Sequence, residues 1–154
     1  MAVGIMTLHR FNGDEIFNIE AAVITSQKAG GHSTSVTFRA DTEKIPVKTL
    51  PDTASLRARP FAELTLHLPS SEALALAAGQ SFSIAKGYDE ESEGYDTNFY
   101  YCEHEPMDDN KILILERNGS QVHVQISGTV TDVNYYDGSK PRTKVIIDGT
   151  FTLR

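Results

Sequence analysis

Apolar and polar residues alternate along most of this chain with a period of two, the pattern of a strand that has one face covered. In Ile16–Ser26, Phe17, Ile19, Ala21 and Val23 alternate with Asn18, Glu20 and Ala22. Val36 and Phe38 continue the pattern in Ser33–Ala40. Between the two runs lies Gln27-Lys28-Ala29-Gly30-Gly31-His32, whose glycines can take positive φ, so the pattern predicts a hairpin. A strand over Gly4–Arg10 precedes it. Pro46, Pro51 and Pro60 remove ladder donors and predict a long connection or an interrupted edge over 41–60.

Phe61–Leu68 is again a strand, with Ala62, Leu64, Leu66 and Leu68 on one face. Ser70-Ser71-Glu72 then marks the one helix expected, a short one near 71–78. A serine can accept from the free amides of a first turn, and Glu72 favours its positive end. Gly79 stops it, and packing by Leu74 and Leu76 would have to hold so short a helix. Ser81–Lys86 and Thr97–His104 read as strands. Lys111–Arg117 contains the unbroken run Ile112-Leu113-Ile114-Leu115, as in a strand covered on both faces. Asn118-Gly119 is a two-residue turn signal. In the last hairpin, Val122, Val124, Ile126 and Val130 alternate with polar residues, as do Val145, Ile147, Phe151 and Leu153, with Asp137-Gly138 near the turn. About nine strands with frequent turn signals predict an all-β fold, an antiparallel β-sandwich or flattened barrel forming one domain over 1–154.

The strand start Gly79-Gln80-Ser81-Phe82, the run Ile126-Ser127-Gly128-Thr129-Val130 and the ending Val145-Ile146-Ile147-Asp148-Gly149-Thr150-Phe151 resemble the C-terminal parts of small bacterial β-sandwich proteins of unassigned function, many of them lipoproteins. The resemblance spans roughly the last ninety residues and implies the sandwich fold. It implies no catalytic residue. The chain departs from that group in having no leader and no lipid-attachment cysteine.

Charge changes the picture more than composition does. Nine carboxylates (Asp89, Glu90, Glu91, Glu93, Asp96, Glu103, Glu105, Asp108 and Asp109) occur without an intervening Lys or Arg. Residues 1–88 balance eight basic with eight acidic side chains, and 110–154 carry six basic and four acidic, so this block accounts for the net charge of −7. That sign disfavours binding to nucleic acid, whose phosphates would repel it. No apolar run approaches the roughly 20 residues of a membrane span. The single Cys102 rules out an intrachain disulfide and fits a reducing compartment, and no basic, apolar leader opens the sequence, so a cytoplasmic location is expected.

Two chemistries compete for the acidic block. Asp89, Glu91 and Glu93 followed by Gly94 have the rhythm of an EF-hand loop, but the twelfth position is Tyr100 and the flanks read as strands. A looser calcium site would use Asp89, Glu91, Glu93 and Asp96. The solvated acidic loop is the simpler reading, so no cofactor is expected. Cys102 and His104, two apart on a predicted strand, would share a face, and His67 or His123 would have to supply a further transition-metal ligand. Glu103 and Glu105 could split their pKa values for acid–base work or stand as two exposed side chains. No nucleophile motif or phosphate-cradling loop occurs.

Tyr95, Phe99, Tyr100 and Tyr101 interleave with the acids, although Phe99 and Tyr101 can equally be core. Tyrosine brings a large contact area at low entropy cost, and acid beside tyrosine suits capture of a basic partner by steered association. The expected function is therefore a small non-enzymatic binding protein of the inhibitor or immunity type. Its expected partner-binding residues are Asp89, Glu91, Glu93, Tyr95, Asp96, Glu103 and Glu105, and its expected partner is a basic protein. The alternatives are a ligand-binding or enzymatic barrel with a pocket around Tyr100, Cys102 and His104, or a structural subunit of an assembly, its oligomeric state open.

Overall fold

The computed structural model describes residues 2–28, 31–48, 59–69 and 76–154. Among these residues it contains twelve strands and no helix. They are β1 (Gly4–Arg10), β2 (Gly13–Lys28), β3 (Ser33–Thr42), β4 (Phe61–Pro69), β5 (Ser81–Ile84), β6 (Tyr88–Asp89), β7 (Gly94–Tyr95), β8 (Thr97–Tyr101), β9 (Glu103–Glu105), β10 (Asp108–Asn118), β11 (Gln121–Val130) and β12 (Thr143–Leu153). Ten form one sheet in the order β5-β10-β11-β12-β1-β2-β3-β4-β8-β9, and β6 and β7 form a separate two-stranded hairpin. All neighbours are antiparallel except a short contact in which Thr152 and Leu153 run parallel to Val23 and Ile24 of β2.

The period-two pattern accounts for the core. Met6 and Leu8 of β1, Leu64 and Leu66 of β4, Val122, Val124 and Ile126 of β11, and Val145, Ile147 and Phe151 of β12 are all buried, and the buried apolar side chains form one cluster. Strands far apart in the sheet meet inside it. Phe38 of β3 packs edge-on against Phe151 of β12 with centroids 6.0 Å apart, and Phe17 of β2 does the same to Tyr101 of β8 at 5.7 Å. Such edge-to-face pairs suit the quadrupole of the rings.

The strand β2 corrects the simple alternation. Phe17 and Ile19 are buried as expected, but beyond them the buried residues are Ala22 and Ile24, not Ala21 and Val23. The register with β3 slips between Ile19 and Ala21. One extra residue at Glu20 reverses which side chains face inward, as a β-bulge does, at the point where β2 stops pairing with β1 and begins pairing with β3.

Other expectations shift as well. Most of the helix expected near 71–78 lies outside the described residues, and Leu76, Ala77 and Ala78 are not helical. Half of the connection expected over 41–60, residues 49–58, also lies outside them. The Ile112–Leu115 run is covered on one face only: Ile112 and Ile114 are buried while Leu115 is exposed. The β10–β11 turn is formed by Gly119 and Ser120, since Asn118 pairs with Gln121; Gly119 has φ 62°. Asp108 and Asp109 begin β10, with Asp109 at φ 52° where the pairing with β11 breaks register.

Gly87 bonds to residues at the starts of both β8 and β10. Its carbonyl accepts from the Asp96 and Thr97 amides at 2.7 and 3.3 Å, and its own amide donates to Asp108 Oδ1 at 3.0 Å. A side chain there would run into the Thr97 hydroxyl and the Met107 carbonyl. A larger residue would force these neighbours to shift.

Candidate functional site

The β6–β7 hairpin carries the first part of the acidic block. Tyr88 pairs with Tyr95, their rings 4.8 Å apart, and the turn between them runs through Glu90–Glu93, with Glu93 at φ 55°. Asp89 shapes this turn: Oδ1 accepts from the Glu91 amide at 3.0 Å and Oδ2 from the Ser92 hydroxyl at 2.9 Å. These bonds, the Ser92 one foremost, hold the Asp89 carboxyl below the usual range. Glu90, Glu91 and Glu93 are exposed, and Tyr95 stands 66% exposed.

Asp96 lies at the root of the hairpin and is fixed on three sides. Its amide donates to Gly87, its carbonyl accepts from the Thr65 amide at 2.7 Å, and its Oδ1 lies 2.9 Å from His67 Nε2. His67 Nδ1 is in turn 3.3 Å from the Ser35 hydroxyl across the β3–β4 pair.

Beside this corner, the outer face of β4 and β8 carries a groove of about 420 Å³. Glu63, Thr65 and Asn98 form part of its lining, Tyr95 and Asp96 bound it on the hairpin side, and His104 and Glu105 of β9 contribute to its rim. An aromatic patch adjoins it: Phe61 stacks on Tyr100 at 5.4 Å, Tyr100 meets His104 at 4.9 Å, and the Arg39 guanidinium lies 4.2 Å over Phe61. Arg39 is itself committed, donating to both Asp41 oxygens at 3.0 Å and to Glu63 at 3.1 Å. Burial raises the Glu105 carboxyl above its usual range; the charge of Glu103 adds to this and Arg142 opposes it. A second groove, of about 590 Å³, is lined in part by Tyr88, Asp89 and Glu90 of the hairpin, and Asp96 lines both grooves.

The seven expected binding residues are thus divided. Tyr95, Asp96 and Glu105 meet at the first groove and Asp89 joins Asp96 at the second, whereas Glu91, Glu93 and Glu103 line neither. Sequence reading passed over Glu63, Thr65 and Asn98, because their approach to Asp96 depends on the β4–β8 register, in which Glu63 pairs with Asn98. The expected shared face of Cys102 and His104 does not form. Cys102 sits between β8 and β9 at φ 69°, where the chain reverses so that Tyr101 faces Glu103 and Tyr100 faces His104. Of Tyr100, Cys102 and His104, only His104 lines the groove. Among the described residues no three His, Cys, Asp or Glu side chains are grouped to hold a metal ion, and no helix is long and apolar enough to cross a membrane.

A different polar cluster lies inside the molecule. Arg10 donates to both oxygens of Asp132, at 3.0 and 2.9 Å, and to Glu15 Oε1 at 3.3 Å; all three side chains are fully buried. The Tyr101 hydroxyl donates to Glu15 Oε2 at 2.9 Å, and Thr143 and the Asn134 amide donate to Asp132. Burial works against a charged Asp132, but the bonds from Arg10, Asn134 and Thr143 outweigh it and hold the carboxyl low. Burial, followed by the charge of Glu15, pushes the Tyr101 phenol up. Alternation held the missed signal: Arg10 is in phase with Met6 and Leu8, and Glu15 with Phe17 and Ile19. The chain matches no protein-family model, no characterised protein and no solved structure.

Proposed function

We propose that this chain is a small binding module whose acidic, tyrosine-bearing region engages a basic protein partner, in the manner of an inhibitor or immunity-type protein. The observation that carries this reading is the groove beside Tyr95, which gathers Glu63, Asp96 and Glu105 around one concavity. Cationic side chains entering it would meet carboxylates on β4, on β9 and at the root of the hairpin, and an exposed phenol ring able to cover their aliphatic stems. The exposed acids at the tip of the hairpin add a long-range field that speeds encounter. We further read the sheet as a flattened barrel, because Gly87 links the β10 side to the β8 side and the Phe17–Tyr101 contact spans its interior.

The test is charge reversal. A basic protein that co-purifies with the tagged chain at low salt should be lost from the triple variant Glu91→Lys, Glu93→Lys, Glu105→Lys, and its association rate should fall steeply with ionic strength. Equal retention by the variant, or a rate indifferent to salt, defeats the proposal.

A further inference from the structure

We infer that the partner segment is an extended chain bearing two separated cations, held astride the β6–β7 hairpin with one cation in each flanking groove. This rests on the binding reading above and names the form of its occupant. Tyr95 lines one groove and Tyr88 the other, and because the two residues are directly paired their rings share one face of the hairpin, with centroids 4.8 Å apart. The carboxylates divide between the sides. Glu63 and Glu105 belong to the first groove, Asp89, Glu90 and Asp108 to the second, and only Asp96 reaches both.

The fixed cations nearby do not close either side. Arg39 takes up part of Glu63, Arg142 holds Asp108 at 3.1 Å, and Lys86 stands at the second groove against Asp89, Glu90, Asp96 and Asp108. One cation can occupy one groove only. Two cations on one extended chain can occupy both, with the intervening backbone crossing the tyrosine pair. Linking them turns the second contact into an intramolecular one, which raises affinity by about 100-fold or more when the spacing fits.

The experiment compares N-acetylated, C-amidated peptides carrying one Arg with peptides of the form Arg-(Gly)n-Arg, n from one to five, and with spermidine, by NMR titration and calorimetry. At least one spacing should bind about 100-fold more tightly than the single-Arg peptide. Glu90→Gln should remove most of that gain while leaving single-Arg binding at the first groove unchanged, and Glu105→Gln should weaken both. Glu90 is exposed at the turn, so this variant keeps the fold, which a thermal melt verifies. If the single-Arg peptide binds and no spacing improves on it beyond the statistical factor of about two, the straddling mode is wrong and the binding site stands. Spermidine binding as tightly as the best peptide also overturns the inference, in favour of a small polyamine. If no cationic probe binds at any concentration, both the inference and the reading beneath it fall.

Discussion

Two regions of this molecule are rich in ions and treat them in opposite ways. At the buried end, one guanidinium lies between two carboxylates, and Tyr101, Thr143 and a backbone amide supply further donors. At the hairpin, Glu90, Glu91 and Glu93 project into solvent, and among the described residues no Lys or Arg is paired with them. Solvent accounts for the contrast. A charge removed from water must be met by a counter-charge and hydrogen bonds or the fold does not form, whereas a charge left in water costs little unpaired. The buried set is therefore spent on the structure. The exposed surplus is what remains available to another molecule.

The strongest way to break this comparison is to remove a member of the buried set. Asp132→Ala removes the bidentate partner of the buried Arg10 and should cost about 3–5 kcal/mol of stability. Urea denaturation measures this as a lower midpoint at unchanged slope. A loss under about 1 kcal/mol would mean that water reaches the cluster and that the two regions do not differ in kind.

Next in size are changes at the seam and at the rim of the cluster. Gly87→Ala forces a methyl into the Thr97 hydroxyl and the Met107 carbonyl, with an expected cost of about 1–3 kcal/mol. Since Gly87 also holds the Asp96 amide, the same variant should weaken cationic probes. Tyr101→Phe deprives Glu15 of a donor at a buried position and should cost about 1–3 kcal/mol, whereas Tyr95→Phe, at the exposed ring, should change stability by less than about 0.5 kcal/mol. Similar costs for the two phenols would erase the distinction drawn here.

Acid separates the regions by sign. The folded pKa of Asp132 lies below its unfolded value, so its contribution is present above about pH 4 and is lost as pH falls through the folded pKa. That of Glu105 lies above its unfolded value, so its contribution is full below about pH 4 and is lost as pH rises through the folded pKa. Between pH 5 and 3, Asp132→Asn should therefore lose less stability than the wild type, and Glu105→Gln more. Parallel curves for all three proteins would count against both assignments.

How much of this was legible in the sequence follows from which interactions are local. Alternation revealed β4 and the β11–β12 hairpin, because a half-covered strand imposes its own period. It failed at Glu20, where a single bulged residue reverses the phase without any change in composition. The acid block was visible as charge, but its division into a turn cap at Asp89, an anchored corner at Asp96 and structural ligands at Asp108 depends on Gly87, Thr65 and Arg142, which lie far from one or another of them in the chain. Arg10 and Glu15 stood in the core phase of their strands all along. Read as polar residues, they drew no attention until Asp132 was brought beside them from the other end of the chain.

The smallest expected effect bears most directly on function. Glu91→Gln with Glu93→Gln removes two charges at the tip of the hairpin, where neither side chain lines a groove. Surface substitutions of this kind stay within about 0.5 kcal/mol in stability, and here a small gain is expected from relieved like-charge repulsion. The association rate of a doubly cationic peptide should nevertheless fall several-fold at low salt and converge on the wild-type rate near 1 M, where charges more than about 3 Å apart are screened. Its dissociation rate should stay unchanged, because neither residue lines a groove. Stopped-flow measurement separates the two rates. A change confined to dissociation would mean that the hairpin tip folds over its occupant, and the acids there would then belong to the grooves rather than to the field that feeds them.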